Sequence, residues 1–245
     1  MSKFIAIIQT GEPIASVLNQ YGGFDQMFIQ HMQIAPEKTK TYHVYQDQAP
    51  SFPSLENLAG IIITGSPSMV TEKKDWSEAT IDWLKKIVEM DIPTLGVCYG
   101  HQLLACALGG QVDWNPNGRQ IGNVKMQLSK SATNDPLFSK IHKSNQSSLN
   151  FNATHSQSVI VLPKKVQLLG STNLDPNHCF RYKNHIWGAQ FHPEFSTKVI
   201  NAYIIARSKE IEQEGLDPKD IQSKILHHKN GAALLKQFKN ICFNH

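Results

Sequence analysis

Apolar residues in this chain fall into short continuous runs, separated by stretches in which they recur every three or four positions. Phe4 to Ile8 is one run, β-branched and closed by Gln9, Thr10 and Gly11, which suits a strand covered on both faces. Val44 and Tyr45 predict the start of an edge-like strand ahead of the loop holding Pro50 and Pro53. Gly60 to Thr64 is a further run, ending in the turn residues Gly65, Ser66, Pro67 and Ser68. The period then changes. Ile81, Leu84, Ile87 and Val88 share one helical face, with Ser77 as the predicted cap and Glu78 in the first turn. Thr94 to Val97 reads as the next strand, and Leu103, Leu104, Ala107 and Leu108 as the inward face of a helix closed by Gly109 and Gly110.

Strands alternating with helices predict an α/β fold: a mostly parallel central sheet with helices on both faces. From Asn123 to Leu169 the pattern is mostly short strands, and Cys179 to Phe191 reads as a hairpin around Lys183 and Asn184. These predict a small antiparallel addition. The chain then turns helical over Val199–Glu214, Pro218–His228 and Ala232–Phe243. Residues 1–200 are expected to form the domain and 201–245 a C-terminal helical extension of it.

Composition narrows the classes. Of 245 residues 40% are hydrophobic and 18% charged, enough apolar material for a sizeable core and too little charge for general disorder. The net charge is only +4 and no basic run interleaves with aromatics, so no nucleic-acid partner is indicated. No stretch of apolar residues is long enough to span a bilayer, and the first nine residues do not read as a signal peptide. The expectation is a cytoplasmic protein with no membrane partner. Cys98, Cys106, Cys179 and Cys242 lack paired spacing and are expected to be reduced, the last three as packing residues.

The chemistry centres on Gly96 to Gly100, a Gly-x-Cys-x-Gly segment between a predicted strand and a predicted helix. A strained turn there holds a nucleophile above the sheet edge. The Cys98 sulfur would sit at the helix N-terminus, where unpaired amides and the helix dipole favour thiolate, and Tyr99 N–H would face a developing oxyanion. Taken alone, the segment equally describes a small buried thiol. A cysteine nucleophile needs a base, and the base needs an orienting group. Among 11 histidines, His192 has Glu194 two positions on, at a predicted strand end where alternate residues share a face. His101, one helical turn past Cys98, reads as a structural brace. Gly65 and Ser66, after another predicted strand, supply a second oxyanion turn at the same sheet edge. Trp76, Trp83, Trp114 and Trp187 are scattered and read as packing or pocket-wall residues. His227 and His228 read as a solvated or capping pair on a helix. Asn115 to Arg119 is a polar turn at the pocket border, with Arg119 either at the surface or meeting a substrate carboxylate.

In this order the segments resemble the class I, triad-type glutamine amidotransferases, above all stand-alone members similar to the glutaminase half of GMP synthase. The resemblance rests on Thr64–Pro67, Gly96–Leu103, Leu108–Gly110, Gln120–Gly122, Thr154–Ser156 with Val159, and Gln190–Glu194, across residues 4 to 200. It implies a flavodoxin-like sheet and a Cys98–His192–Glu194 triad. Cys98 would attack the side-chain amide of glutamine, giving a γ-glutamyl thioester and ammonia. His192 would protonate the departing ammonia and then activate water, with Glu194 orienting it. Gly65, Ser66 and Tyr99 would form the oxyanion hole; Gln102 and the backbone around His155 and Ser156 would hold the substrate. Where the family often has Asp after that histidine and serine, this chain has Gln157.

No cofactor or metal is implied, and metal-ligand spacing such as His-Glu-x-x-His is absent. Neither a phosphate-binding Gly-x-x-x-x-Gly-Lys loop nor an ATP-pyrophosphatase loop occurs in these residues. Ammonia would therefore pass to a separate synthetase. The alternatives are a γ-glutamyl peptidase acting on glutathione-like compounds through the same thioester, and a non-catalytic regulatory module.

Overall fold

Runs without polar alternation occupy the middle of one nine-stranded sheet. The computed structural model describes residues 3–47, 50–142 and 146–244. In chain order they form β1 (Phe4–Gln9), α1 (Ala15–Tyr21), α2 (Phe24–Met32), β2 (Thr39–His43), β3 (Leu58–Ile63), α3 (Asp75–Ile87), β4 (Thr94–Val97), α4 (Tyr99–Ala107), β5 (Gln111–Trp114) and β6 (Gln120–Leu128). Then follow β7 (Ser148–His155), β8 (Gln157–Val161), β9 (Gln167–Ser171), β10 (Cys179–Tyr182), β11 (Ile186–Ala189), α5 (Thr197–Ala206), α6 (Ser208–Gln213), α7 (Pro218–Ser223) and α8 (Asn230–Asn244).

The strand order is β2-β1-β3-β4-β11-β10-β9-β6-β7. Neighbours from β2 to β11 run parallel. Those from β11 to β7 run antiparallel. The expected α/β architecture is thus present, and its antiparallel addition has two parts: a continuation of the main sheet, and a separate β5–β8 pair. The hairpin turns at Lys183, which adopts φ 50°.

The two-residue period of a strand divides the core. Ile5 and Ile7 point to one side, into a cluster with Phe28 and Met32 of α2 and Leu234, Leu235, Phe238 and Cys242 of α8. Ala6 and Ile8 point to the other, against Ile81 and Leu84 of α3 and Leu103 and Leu104 of α4. A third cluster joins Val17 of α1 to Val199, Ile200 and Ile204 of α5 and Ile211 of α6.

Four expectations need correction. The edge strand is Thr39–His43, and Val44–Gln46 is a 3₁₀ turn. With a single neighbour, β2 leaves most of its side chains half-exposed, so its polar sequence carries no apolar run to detect. Helix α3 is capped at Lys74, and Ser77 is buried in its first turn, hydrogen-bonded to the Tyr99 hydroxyl at 2.8 Å. The helix expected over 199–214 breaks at Arg207, φ −103° and ψ 17°, between α5 and α6. The helix expected over 218–228 stops at Ser223, so His227 and His228 lie in a loop, with His228 edge-on to Phe151.

Cys179 and Cys242 are buried in the core and Cys106 is half-buried; all four cysteines are free thiols. Trp187 is enclosed in the core, whereas Trp114 is 59% exposed. No helix among the described residues is long and apolar enough to cross a membrane.

Phe238 is fully buried and meets Trp187 edge-on at 6.2 Å. If α8 shares the core of the sheet, Phe238→Ala will cost about 3–5 kcal/mol in urea unfolding while leaving a single transition. A loss below about 1 kcal/mol would mean that α8 packs independently.

Candidate active site

Strand β4 ends at Val97 and α4 begins at Tyr99, so Cys98 must turn the chain alone. It does so at φ 51° and ψ −101°, a conformation that costs a non-glycine residue about 1–3 kcal/mol. The surroundings hold it there. Cys98 N–H donates to the Ala189 carbonyl at 2.8 Å, Gly100 N–H to that of Thr64 at 3.1 Å, and Gln102 N–H to that of Cys98 at 3.1 Å. Gly96 and Gly100 are required by contact: a Cβ on Gly96 would collide with the Gly100 carbonyl, and one on Gly100 with the Ile63 carbonyl. Tyr99 N–H makes no hydrogen bond among the described residues, as expected of a first-turn amide.

His192 lies just beyond β11. Its N–H donates to the Asn152 carbonyl at 2.7 Å, and the Asn152 amide donates onward to the Phe195 carbonyl at 2.9 Å. The imidazole stacks on Phe195 with ring centroids 4.0 Å apart. Its Nδ1 meets Glu194 Oε1 at 2.7 Å, with Glu194 wholly buried. On its other side the ring faces Cys98, whose sulfur is near enough to favour the charged imidazolium. Burial alone would depress the His192 pKa. The Glu194 carboxylate outweighs it, helped by the Cys98 sulfur, and the pKa lies well above the ordinary histidine value.

The turn after β3 is fixed from β1. Thr10 Oγ1 contacts the carbonyl oxygens of Thr64 at 3.0 Å and Gly65 at 2.9 Å. Because a trans peptide sets C=O and the following N–H on opposite sides, Ser66 N–H points away from Thr10. A Cβ on Gly65 would lie 2.9 Å from His192 Cε1 and 3.7 Å from Cys98 Cβ, so this turn stands against both.

Cys98, Tyr99, Ser66, Gln102, His155, Ser156 and His192 all line one cleft; Glu194 lies behind His192 and Gly65 beside it. Gln102 Nε2 donates to the Gln157 carbonyl at 2.9 Å and Gln190 Oε1 at 3.1 Å. Gln157 accepts from Val70 N–H and donates to Thr71 Oγ1, tying the β7–β8 turn to the residues after β3. Arg119 reaches the cleft and pairs with Glu214 through two bonds of 2.7 Å. His101 is turned away from the cleft, packed on Phe180 at 5.0 Å.

Sequence reasoning missed Thr10, Thr154, Tyr203 and Arg207. The Cys98 thiol faces the Thr154 carbonyl at 3.8 Å, and Tyr203 and Arg207 of the C-terminal helical segment line the cleft. The Thr154–Ser156 segment could have flagged Thr154; nothing local marks the others.

A doubly wound sheet with a strained cysteine above its edge, sharing a cleft with a buried histidine, defines a class. Its backbone superposes on that of a glutamine amidotransferase from Thermotoga maritima with a TM-score of 0.74 over 99% of both chains, at 17% identity. Residues 16–210 match the family model for class I glutamine amidotransferases, and the chain belongs to that family. It is 29% identical over 224 residues to a glutamine amidotransferase-like protein of Schizosaccharomyces pombe, covering 86% of this chain and 87% of that one. It is 31% identical over 171 residues to the GMP synthase of Clostridium novyi, 67% of this chain but 31% of the relative. It is 26% identical over 182 residues to γ-glutamyl peptidase 4 of Arabidopsis thaliana, 74% of this chain and 71% of that one. The chain therefore spans about a third of the GMP synthase it matches.

Replacing Glu194 tests the electrostatics. In Glu194→Gln the His192 titration seen by NMR should fall by about one pH unit or more. His192 has a raised folded pKa, so the stability it contributes is complete below the unfolded histidine pKa and disappears as pH rises through the folded value. The stability gap between wild type and variant should therefore be widest in mild acid and close in alkali. An unchanged titration would refute the coupling.

Proposed function

We propose that this chain hydrolyses the side-chain amide of glutamine to glutamate and ammonia through a γ-glutamyl thioester on Cys98. The observation that carries the reading is the placing of Cys98 beside His192 in one cleft, with Glu194 hydrogen-bonded behind the imidazole. With His192 holding its proton as imidazolium, the Cys98 sulfur attacks the amide carbon as thiolate. The carbonyl oxygen becomes an oxyanion, facing Tyr99 N–H and the Gly65–Ser66 turn. His192 returns its proton to the nitrogen as the C–N bond breaks, and ammonia leaves. Water, deprotonated by His192, then attacks the thioester and releases glutamate. Glu194 keeps the Nδ1 proton in place, so that the other ring nitrogen serves Cys98. Ammonia passing to a separate synthetase fits the family, whose matched GMP synthases are about three times as long as the region shared here.

A second reading, cleavage of γ-glutamyl peptides, is supported by the cationic wall. Arg119 and Arg207 line the cleft, Arg119 pairing with Glu214, whose carboxyl pKa both guanidinium groups lower. A guanidinium there suits the carboxylate of a peptide leaving group, which ammonia lacks.

Cys98→Ala should lower ammonia release from glutamine by on the order of 10⁴-fold or more. Retention of most of the activity would reject the thioester route. With glutamine and a γ-glutamyl dipeptide in competition, the ratio of kcat/KM separates the two readings. If the peptide is the true donor, Arg207→Ala should raise its KM about tenfold or more and leave glutamine nearly unaffected.

A further inference from the structure

Behind the cleft wall lies a group of buried side chains that the amide chemistry does not use. His155 ends β7, and Asp175 and His178 belong to the connection from β9 to β10. Asp175 and His178 are fully buried and His155 is 6% exposed. One donor atom from each lies within 4.8 Å of the other two.

The details match what an ion of this kind needs. His178 Nδ1 and Asp175 Oδ2 are 3.1 Å apart. That separation is close to the ligand–ligand edge of a tetrahedral site with metal bonds of about 2.0–2.2 Å, so an ion can replace the shared proton with little movement. His178 Nε2 is buried and meets no hydrogen-bond partner among the described residues. Metal binding through Nδ1 places the ring proton on Nε2, where no protein acceptor meets it, so the metal bond has to outweigh the cost of that buried N–H. A buried imidazole nitrogen without a partner is itself a feature that calls for a reason.

Asp175 is held in place by Asn177 N–H, which donates to its Oδ1 at 3.0 Å. His155 stands with its ring centroid 5.8 Å from that of His178. Its Nε2 lies 3.1 Å from Gln120 Oε1, a bond it can exchange for a metal because the Gln120 amide also bonds Thr172 Oγ1 at 2.9 Å. His155 lines the cleft, which gives an ion a way in.

We propose that His155, Asp175 and His178 form a binding site for a divalent transition-metal ion of the zinc type, separate from the cysteine chemistry. Two imidazoles and one carboxylate suit zinc, and are a poor set for magnesium or calcium, which prefer oxygen alone. A bound ion would clamp the end of β7, which carries the cleft-lining residues Thr154 and His155, to the connection before β10.

The test uses the full chain with Cys98→Ala, which removes the cleft sulfur as a competing ligand, after stripping with a chelator. Cobalt(II) should bind stoichiometrically with the strong visible absorption of a tetrahedral site, and zinc(II) should displace it and raise the Tm. Adding Asp175→Asn or His178→Ala to that background should weaken zinc binding by on the order of 100-fold. Circular dichroism identifies any variant that fails to fold; His155→Gln, with the same loss expected, then takes its place. Absence of stoichiometric binding to the folded Cys98→Ala chain overturns the proposal. So does binding that the ligand substitutions leave within about twofold.

Discussion

The arrangement depends on one backbone constraint, the positive φ at Cys98. A cysteine would not choose that conformation, and it persists because three neighbouring elements over-determine it. The end of β11 accepts its amide, the end of β3 accepts the Gly100 amide, and α4 starts on its own carbonyl. These strands are adjacent and parallel, so their carboxyl ends lie together, and the strain is absorbed where the sheet is most completely buried. The same ends deliver the turn at Gly65 and the histidine after β11, so the register of the parallel sheet sets the distances within the cleft.

Electrostatics adds the second layer. His192 is enclosed by aromatic rings, an environment that disfavours an imidazolium, yet it also faces a wholly buried carboxylate. The carboxylate prevails, so burial here strengthens the pairing by excluding water. Farther back, Gln102, Gln157 and Gln190 link the cleft wall to α4 and β11 through neutral amide bonds, which fix position without adding charge.

What the sequence revealed follows from how local each determinant is. Buried β1, β3 and β4 were legible because strands covered on both faces are uniformly apolar, and Cys98, His192 and Glu194 were legible because they sit in compact segments at strand ends. Strand β2 was displaced because an edge strand needs no apolar pattern, and the break at Arg207 has no local signal, since it lets Ile211 reach the cluster around Val17 and Ile200. Thr10, Tyr203 and Arg207 could not be read at all. Packing between segments distant in sequence brings Tyr203 and Arg207 to the cleft and Thr10 against the turn at Gly65.

The most direct test of the central claim is the intact mass of the chain, acid-quenched within its first turnovers with glutamine or a γ-glutamyl peptide. The account predicts an added glutamyl group on wild type that maps to Cys98, accumulates when deacylation is slowed, and is absent in Cys98→Ala. Product formation with an unmodified chain under every quench, or an adduct on another residue, would contradict it.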